Sequence, residues 1–230
     1  MLDTVLSVVN RVLSPLGAKL ESTRPKPAVT NAVATRFLLL ADMFREIKGV
    51  EGCVVECGVA YGRGLSYLSF LTQNEGSDRI IYGFDTFAGY PSVSDRDQPK
   101  DAKFIPPQVG GLRVPMSETL RFIRASGISQ EFIDKQVRLV EGDVTKTSKQ
   151  YDGPPIALLI TEMDLYSGNK AALENFLPHM AKGGIILPLN YGHAANKFPG
   201  GHEAVGEVFG DKAKDFRLHS WTGKRYYVHS

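Results

Sequence analysis

The chain has 230 residues, enough to bury one substantial hydrophobic core as a single domain with some decoration. Its 27 basic and 25 acidic residues leave a net charge of +2 with the signs interspersed, which excludes a basic stripe for nucleic acid and an acidic tail. No apolar run approaches the roughly 20 residues that span a bilayer, and the opening Met-Leu-Asp-Thr has neither the basic start nor the cleavage site of a secretory signal, so the reading is a cytoplasmic protein with no membrane span.

Leu2, Val5, Leu6, Val9, Val12, Leu13 and Leu16 recur at helical spacing and predict an amphipathic first helix, one that could cap its own domain, pack on a second subunit or lie on a membrane surface. Pro25 and Pro27 among polar residues predict a linker arm, so residues 1–30 are read as helix and arm and 31–230 as the main domain. Thr30 is placed to cap a helix from Asn31 to Ile47 that turns Val33, Phe37, Leu38, Leu40, Ala41 and Phe44 toward a core.

Cys53, Val54 and Val55 then form the short apolar run of a buried parallel strand, and Gly58, Gly62 and Gly64 predict a tight turn into a helix. Cys53 and Cys57 lie four apart on that strand, facing the same way but about 13 Å apart, so they do not readily pair and suit a reducing compartment. Leu65, Leu68, Phe70 and Leu71 predict a helix to about Gln73, followed by a strand from Ile80 to Phe84. Asp85 ends it, 21 positions after Gly64, the interval at which an acid meets a cofactor ribose in nucleotide-binding βαβ units.

From Thr86 to about Pro115 the sequence is irregular and proline-rich, and a loop of that length in a compact domain reads as a lid over a ligand. Ser117 is read as capping a helix to Ala125, with a third strand from Val137 to Val140 closed by Gly142 and Asp143. Pro155 to Ile160 reads as a fourth strand, Asn169 to Met180 as a helix and Ile185 to Leu189 as a fifth strand. A helix near Glu203 to Phe209 and strands around Phe216–Trp221 and Arg225–Val228 complete the chain. This alternation implies an α/β, Rossmann-like fold: a mainly parallel sheet with helices on both faces and an antiparallel edge.

Open parallel sheets bind ligands beyond the carboxyl ends of their strands, and the chemistry-bearing residues fall there: Glu56 and the glycines, Asp85, Asp143, Glu162 with Asp164, and Asn190, Tyr191 and His193. Taken singly, Asp143 reads equally well as a solvated loop acid. Glu56 narrows the ligand. A carboxylate at the glycine turn repels a pyrophosphate but attracts the sulfonium and ammonium of S-adenosylmethionine.

The succession Val-Val-Glu-Cys-Gly-Val-Ala, Gly-Phe-Asp-Thr-Phe-Ala-Gly-Tyr-Pro, Glu-Gly-Asp-Val-Thr-Lys-Thr and Asp-Leu-Tyr, closing on Trp221-Thr222-Gly223, resembles the macrocin O-methyltransferase family over about residues 30 to 228. That resemblance implies a class I methyltransferase fold and an S-adenosylmethionine-dependent O-methyltransferase acting on a sugar hydroxyl or related small molecule, as in natural product biosynthesis. It implies Glu56 near the methionine part, Asp85 on the ribose and Asp143 beside the adenine, within a cofactor set of Glu56, Gly58, Tyr61, Gly62, Gly64, Ser66, Asp85, Thr86, Asp143 and Val144.

The family also implies a divalent metal held by one acid of an Asp-Gly-Asp-Leu-Tyr motif and two of an Asp-Asp-Tyr motif. This chain reads Glu162-Met163-Asp164-Leu165-Tyr166 and Leu189-Asn190-Tyr191, so a magnesium site on Glu162, Asp164 and Asn190 is expected to be weak or absent. Asp164 matches the family's general base. His193 is the second candidate, and the other reading of His193 and His202 is ordinary polar loop histidine.

Two rival readings stand beside this one. Gly58, Gly62 and Gly64 with Asp143-Val144-Thr145 and Tyr166-x-x-x-Lys170 fit a short-chain dehydrogenase, against which stand Glu56 and the glycine at position 153, where a catalytic serine is expected. A cofactor-binding partner protein without activity is the other. The amphipathic first helix makes a homo-oligomer, such as a dimer, the expected state.

Overall fold

The computed structural model describes residues 9–10, 29–192 and 195–230. Apart from residues 9 and 10, the predicted first helix and the start of the arm lie outside the described residues, as does His193. The chain divides into two compact units, 1–36 and 37–230, with the boundary inside helix α1 (Asn31–Glu46).

The second unit is built on a sheet of β1 (Cys53–Cys57), β2 (Ile81–Asp85), β3 (Val137–Glu141), β4 (Ile156–Thr161), β5 (Met180–Pro188), β6 (Arg217–Leu218) and β7 (Arg225–Val228). Its strand order is β3-β2-β1-β4-β5-β7-β6. The first five strands run parallel and β7 pairs antiparallel with β5 and β6, which is the mainly parallel sheet with an antiparallel edge that the sequence predicts. Central β1 and β4 are buried along their whole length, so both need the apolar runs that Val54-Val55 and Ala157-Leu158-Leu159-Ile160 supply.

Alternation sorts these strands into two cores. Val54, Leu158, Ile160, Ile185, Leu187 and Leu189 pack on one face with Leu39, Leu40, Met43 and Phe44 of α1 and with Leu65 and Leu68 of α2 (Arg63–Glu75). Cys53, Val55, Cys57, Ile156, Leu159 and Ile186 pack on the other with Ala172, Leu173 and Phe176. Residues on one face of a strand recur every second position, so Glu56 falls on the first face, beside Val54.

Several boundaries differ from the sequence reading. Helix α3 (Met116–Ala125) opens after Pro115, leaving Ser117 inside its first turn instead of at the cap. Two short helices went unread: α4 (Gln130–Gln136), where Ser129 accepts a hydrogen bond from the Phe132 amide, and α5 (Val144–Thr147), where Asp143 accepts one from Thr145. Helix α6 runs Tyr166–Phe176, starting before the predicted Asn169 and ending before Met180, which belongs to β5. Pro178 follows in a short 3-10 turn, and β5 begins at Met180 across an irregular register with β4. Helix α7 spans Pro199–Phe209, and Leu38, predicted to face the core, is 47 % exposed.

Candidate active site

Strand β1 delivers the chain into a turn whose backbone alternates into the left-handed region at Gly58 (φ 90°), Ala60 (φ 46°) and Gly62 (φ 84°). Alanine is disfavoured there by roughly 1–2 kcal/mol. Two bonds hold it: the Ala60 amide donates to Asp85 Oδ2 at 2.9 Å and the Thr119 hydroxyl donates to the Ala60 carbonyl at 2.6 Å. A Cβ on Gly58 would stand 2.7 Å from the Glu162 carbonyl oxygen, so the turn can lie against the end of β4 only because that position is glycine.

Glu56 is 1 % exposed and lies beneath this turn. A Cβ at Gly64 would stand 1.8 Å from Glu56 Oε1, which places the carboxylate against the first turn of α2, where the helix dipole favours an anion. The third glycine of the motif therefore makes room for the acid.

Asp85, at the end of β2, has both carboxylate oxygens engaged from below: Oδ2 by Ala60 and Oδ1 by the Phe87 amide at 2.8 Å. Phe87 also has positive φ (51°), so Asp85 pins two strained residues. An ionised carboxylate has about four acceptor sites, of which these two bonds take two. Asp143 spends part of one oxygen on the Thr145 amide at 3.0 Å and caps α5, leaving its other oxygen at the rim.

A single cleft collects Gly58, Asp85, Thr86, Asp143 and Val144 with Glu162 and Asp164, and encloses about 730 Å³ including its open mouth. Phe84, Val144, Met163 and Leu165 give it apolar walls, and Tyr90, Pro91 and Leu112 of the 86–115 segment also line it. Of the other residues proposed from sequence, Tyr61 is 62 % exposed, Ser66 donates its hydroxyl to the Gly62 carbonyl at 2.9 Å, and neither lines the cleft; Glu56, Gly62 and Gly64 form its supporting layer. Thr86 folds the first lid turn, donating to the Gly89 carbonyl at 2.6 Å and accepting from the Ala88 amide at 3.2 Å.

On the far side, Asp164 Oδ2 accepts a hydrogen bond from the Tyr90 hydroxyl and Oδ1 accepts one from Asn190 Nδ2 at 3.1 Å. Burial raises the Asp164 carboxyl above the usual range, opposed by Tyr90, the nearby Lys197 and Asn190. Burial and the Asp164 charge push the Tyr90 phenol up, so it keeps its proton and is the donor. Asn169 holds the loop in place, its Nδ2 donating to the carbonyls of Met163 (2.7 Å) and Leu165 (2.8 Å).

Asp97 fastens the 86–115 segment to helix α6. Asp97 Oδ2 accepts from the Ser94 amide (2.8 Å) and hydroxyl (2.7 Å), and Oδ1 accepts from the Tyr166 amide at 2.7 Å, so a lid residue caps α6 and moves its start to Tyr166. A Cβ on Gly200 would stand 2.2 Å from Asp97 Oδ1, which makes that glycine the seat of the anchor. Tyr90, Asp97 and Asn169 were not singled out from the sequence; the only signal was their polar or phenolic character among residues of the lid and of a helix start.

Among the described residues no group of three or more His, Cys, Asp or Glu side chains is placed to hold a metal ion. The donor set at the expected position does not suit a hard cation, because Asn190 turns its amide hydrogens toward Asp164 and Met163, and Leu189, 1 % exposed, belongs to the core. The dehydrogenase-like pair is engaged elsewhere. Lys170 Nζ donates to Tyr166 Oη at 3.1 Å and to Glu207 Oε2 at 2.9 Å, and neither Tyr166 nor Lys170 lines the cleft.

A sheet in this order, with its ligand cleft opening where β1 and β4 lead off in opposite directions, is that of the class I methyltransferases. Within that class the chain belongs to the macrocin-O-methyltransferase (TylF) family, whose model matches residues 15–199. It is 28 % identical over 145 residues to the 8-demethyl-8-(2,3-dimethoxy-alpha-L-rhamnosyl)-tetracenomycin-C 4'-O-methyltransferase of Streptomyces olivaceus, covering 62 % of this chain and 54 % of that protein. It is 27 % identical over 144 residues to the mycinamicin III 3''-O-methyltransferase of Micromonospora griseorubida, covering 62 % and 56 %. The chain thus spans about half the length of the curated relatives it matches. Among solved structures, the calicheamicin methyltransferase CalS11 superposes with a TM-score of 0.74 at 28 % identity over 96 % of this chain and 91 % of that one. The O-methyltransferase NovP, at 22 % identity and a TM-score of 0.69 over 85 % of this chain and 80 % of its own, shares the fold.

Proposed function

We propose that the chain is an S-adenosylmethionine-dependent O-methyltransferase acting on a hydroxyl of a sugar or related small molecule. The observation that carries this reading is one cleft with two chemically distinct sides: Asp85 and Asp143 with apolar walls on one, Asp164 on the other. The donor set fits the cofactor, since Asp85 keeps acceptor capacity for a ribose diol and Glu56 puts negative charge under the turn nearest a cationic tail. When bound, S-adenosylmethionine supplies an already activated methyl group.

The chain's own tasks are to align the acceptor oxygen, exclude water and remove a proton from a weakly acidic hydroxyl. Leu112 and Tyr90 line the cleft. Asp164 accepts the hydroxyl proton on a carboxylate oxygen, and burial, by raising its proton affinity, makes it a better base than an exposed carboxylate. The names of the relatives, one a rhamnosyl-tetracenomycin-C 4'-O-methyltransferase and the other a mycinamicin III 3''-O-methyltransferase, support a glycosidic sugar as acceptor.

The test is incubation with methyl-labelled S-adenosylmethionine and a panel of nucleotide-activated deoxysugars and rhamnosylated aromatic glycosides. Label in an acid-stable sugar methyl ether is expected. Tight S-adenosylhomocysteine binding with no transfer to any member would favour the inactive partner protein instead.

A further inference from the structure

We infer that a clamp of Tyr90, Asp164 and Asn190 replaces, in this chain, the divalent cation of the acceptor side, and that Tyr90 is the residue that positions Asp164. The inference rests on the methyltransferase reading of the same cleft.

Asp164 is held by one donor on each oxygen, Tyr90 Oη on Oδ2 and Asn190 Nδ2 on Oδ1. The same Nδ2 donates to the Met163 carbonyl at 3.2 Å. Both partners of that nitrogen are acceptors, so the NH₂ group must face them; the amide oxygen in its place would meet two oxygens. A hydrogen-bearing amide nitrogen offers no lone pair to a cation. Nor does its neighbour compensate, because Leu189 continues the core face of Ile185 and Leu187. A hard cation needs about six oxygens, several of them anionic, and here two of the three expected carboxylates are a leucine and an amide.

The donor from the lid is stiffly mounted. The Tyr90 amide donates to the Gly111 carbonyl at 3.0 Å and the Gly110 amide returns a bond to the Tyr90 carbonyl at 2.9 Å. Gly89 (φ 87°) comes so close to the 110–111 turn that a Cβ would stand 2.5 Å from the carbonyl oxygens of Gly110 and Gly111. A two-bond ladder therefore carries the phenol to the carboxylate and joins lid closure to the orientation of the base. A cation orients a carboxylate by charge; the clamp does so by two directed hydrogen bonds that leave its other lone pairs for the acceptor hydroxyl.

Manganese is the probe, titrated with S-adenosylhomocysteine present and followed by its electron paramagnetic resonance spectrum. The wild-type protein is expected to leave the aqueous Mn²⁺ signal unchanged up to about 1 mM, whereas the Tyr90→Phe, Asn190→Asp double variant, with a freed Asp164 and a new carboxylate, takes up the ion at least about 10-fold more tightly. Wild-type uptake below about 1 mM that is abolished by Asp164→Ala would overturn the inference. So would a double variant that binds no better than wild type. Tyr90→Phe alone keeps the ring and removes only the hydroxyl, and hydrogen exchange at the amides of residues 90 and 110 is expected to speed about 10-fold, the loss of one charge-assisted bond; unchanged exchange would reduce Tyr90 to a packing residue and overturn its positioning role. Calorimetry separates the two levels: wild type that does not bind S-adenosylhomocysteine fails the methyltransferase reading, while normal binding with a contrary metal or exchange result fails the clamp alone.

Discussion

Replacing Asp85 by asparagine changes one atom and should damage two things at once. The carboxylate accepts from Ala60 at 2.9 Å on Oδ2 and from Phe87 at 2.8 Å on Oδ1. In Asp85→Asn one of these oxygens becomes NH₂ and faces a backbone N–H, whichever way the amide is turned. An orphaned donor costs about 1–3 kcal/mol, and both donors belong to left-handed residues (Ala60 φ 46°, Phe87 φ 51°) that relax when unpinned. Unfolding in urea without cofactor is therefore expected to show a loss of about 1–3 kcal/mol. The amide also keeps only one oxygen for the ribose diol, and a hydrogen bond to a charged acceptor contributes roughly 1.5–3 kcal/mol, so the Kd for S-adenosylhomocysteine should rise about 10- to 150-fold by calorimetry. A cycle with a 2'-deoxy cofactor analogue tests the contact itself: the two losses should be strongly less than additive. Additive losses, or a Kd within about threefold of wild type, would refute the assignment of Asp85 to the ribose.

Gly64→Ala should destabilise the protein by about 1–3 kcal/mol, since its Cβ would stand 1.8 Å from Glu56 Oε1, and adding Glu56→Ala should restore part of that loss in thermal denaturation; a double variant less stable than Gly64→Ala alone would contradict the packing. Asp97→Ala leaves the Tyr166 amide without its 2.7 Å partner and should expose the lid to limited proteolysis between residues 86 and 115, with no new cleavage counting against the anchor. Because burial raises the Asp164 carboxyl, folding favours its protonated form, a contribution fully present below the unfolded value near 3.9 and lost as pH rises through the folded one. The stability of Asp164→Asn relative to wild type should therefore be higher at about pH 8 than at about pH 3, while methyl transfer falls roughly 10²- to 10⁴-fold; a relative stability that is the same at both pH values would show that the wild-type group is not strained by its charge.

The elements that carry Glu56 and Asp85 were legible because their signals are local. Val-Val-Glu-Cys-Gly encodes strand and turn within a few residues, and Asp85 ends β2 at a fixed interval from Gly64. The structure adds why Gly64 must be glycine, which depends on where Glu56 points. The acceptor half was legible only as an absence: Leu189-Asn190 where two acids were expected. What fills the space is set by tertiary contacts, for Tyr90 reaches Asp164 across 74 positions and Asp97 caps Tyr166 across 69. No periodicity encodes such pairs. The same contact explains the misplaced start of α6, whose cap is supplied by the lid instead of by its own preceding residue.

The most direct measurement is calorimetric titration of the chain with S-adenosylhomocysteine and, in parallel, with NADP⁺. The account predicts one equivalent of S-adenosylhomocysteine bound and no heat from NADP⁺. Binding of NADP⁺, or no binding of S-adenosylhomocysteine, would contradict it.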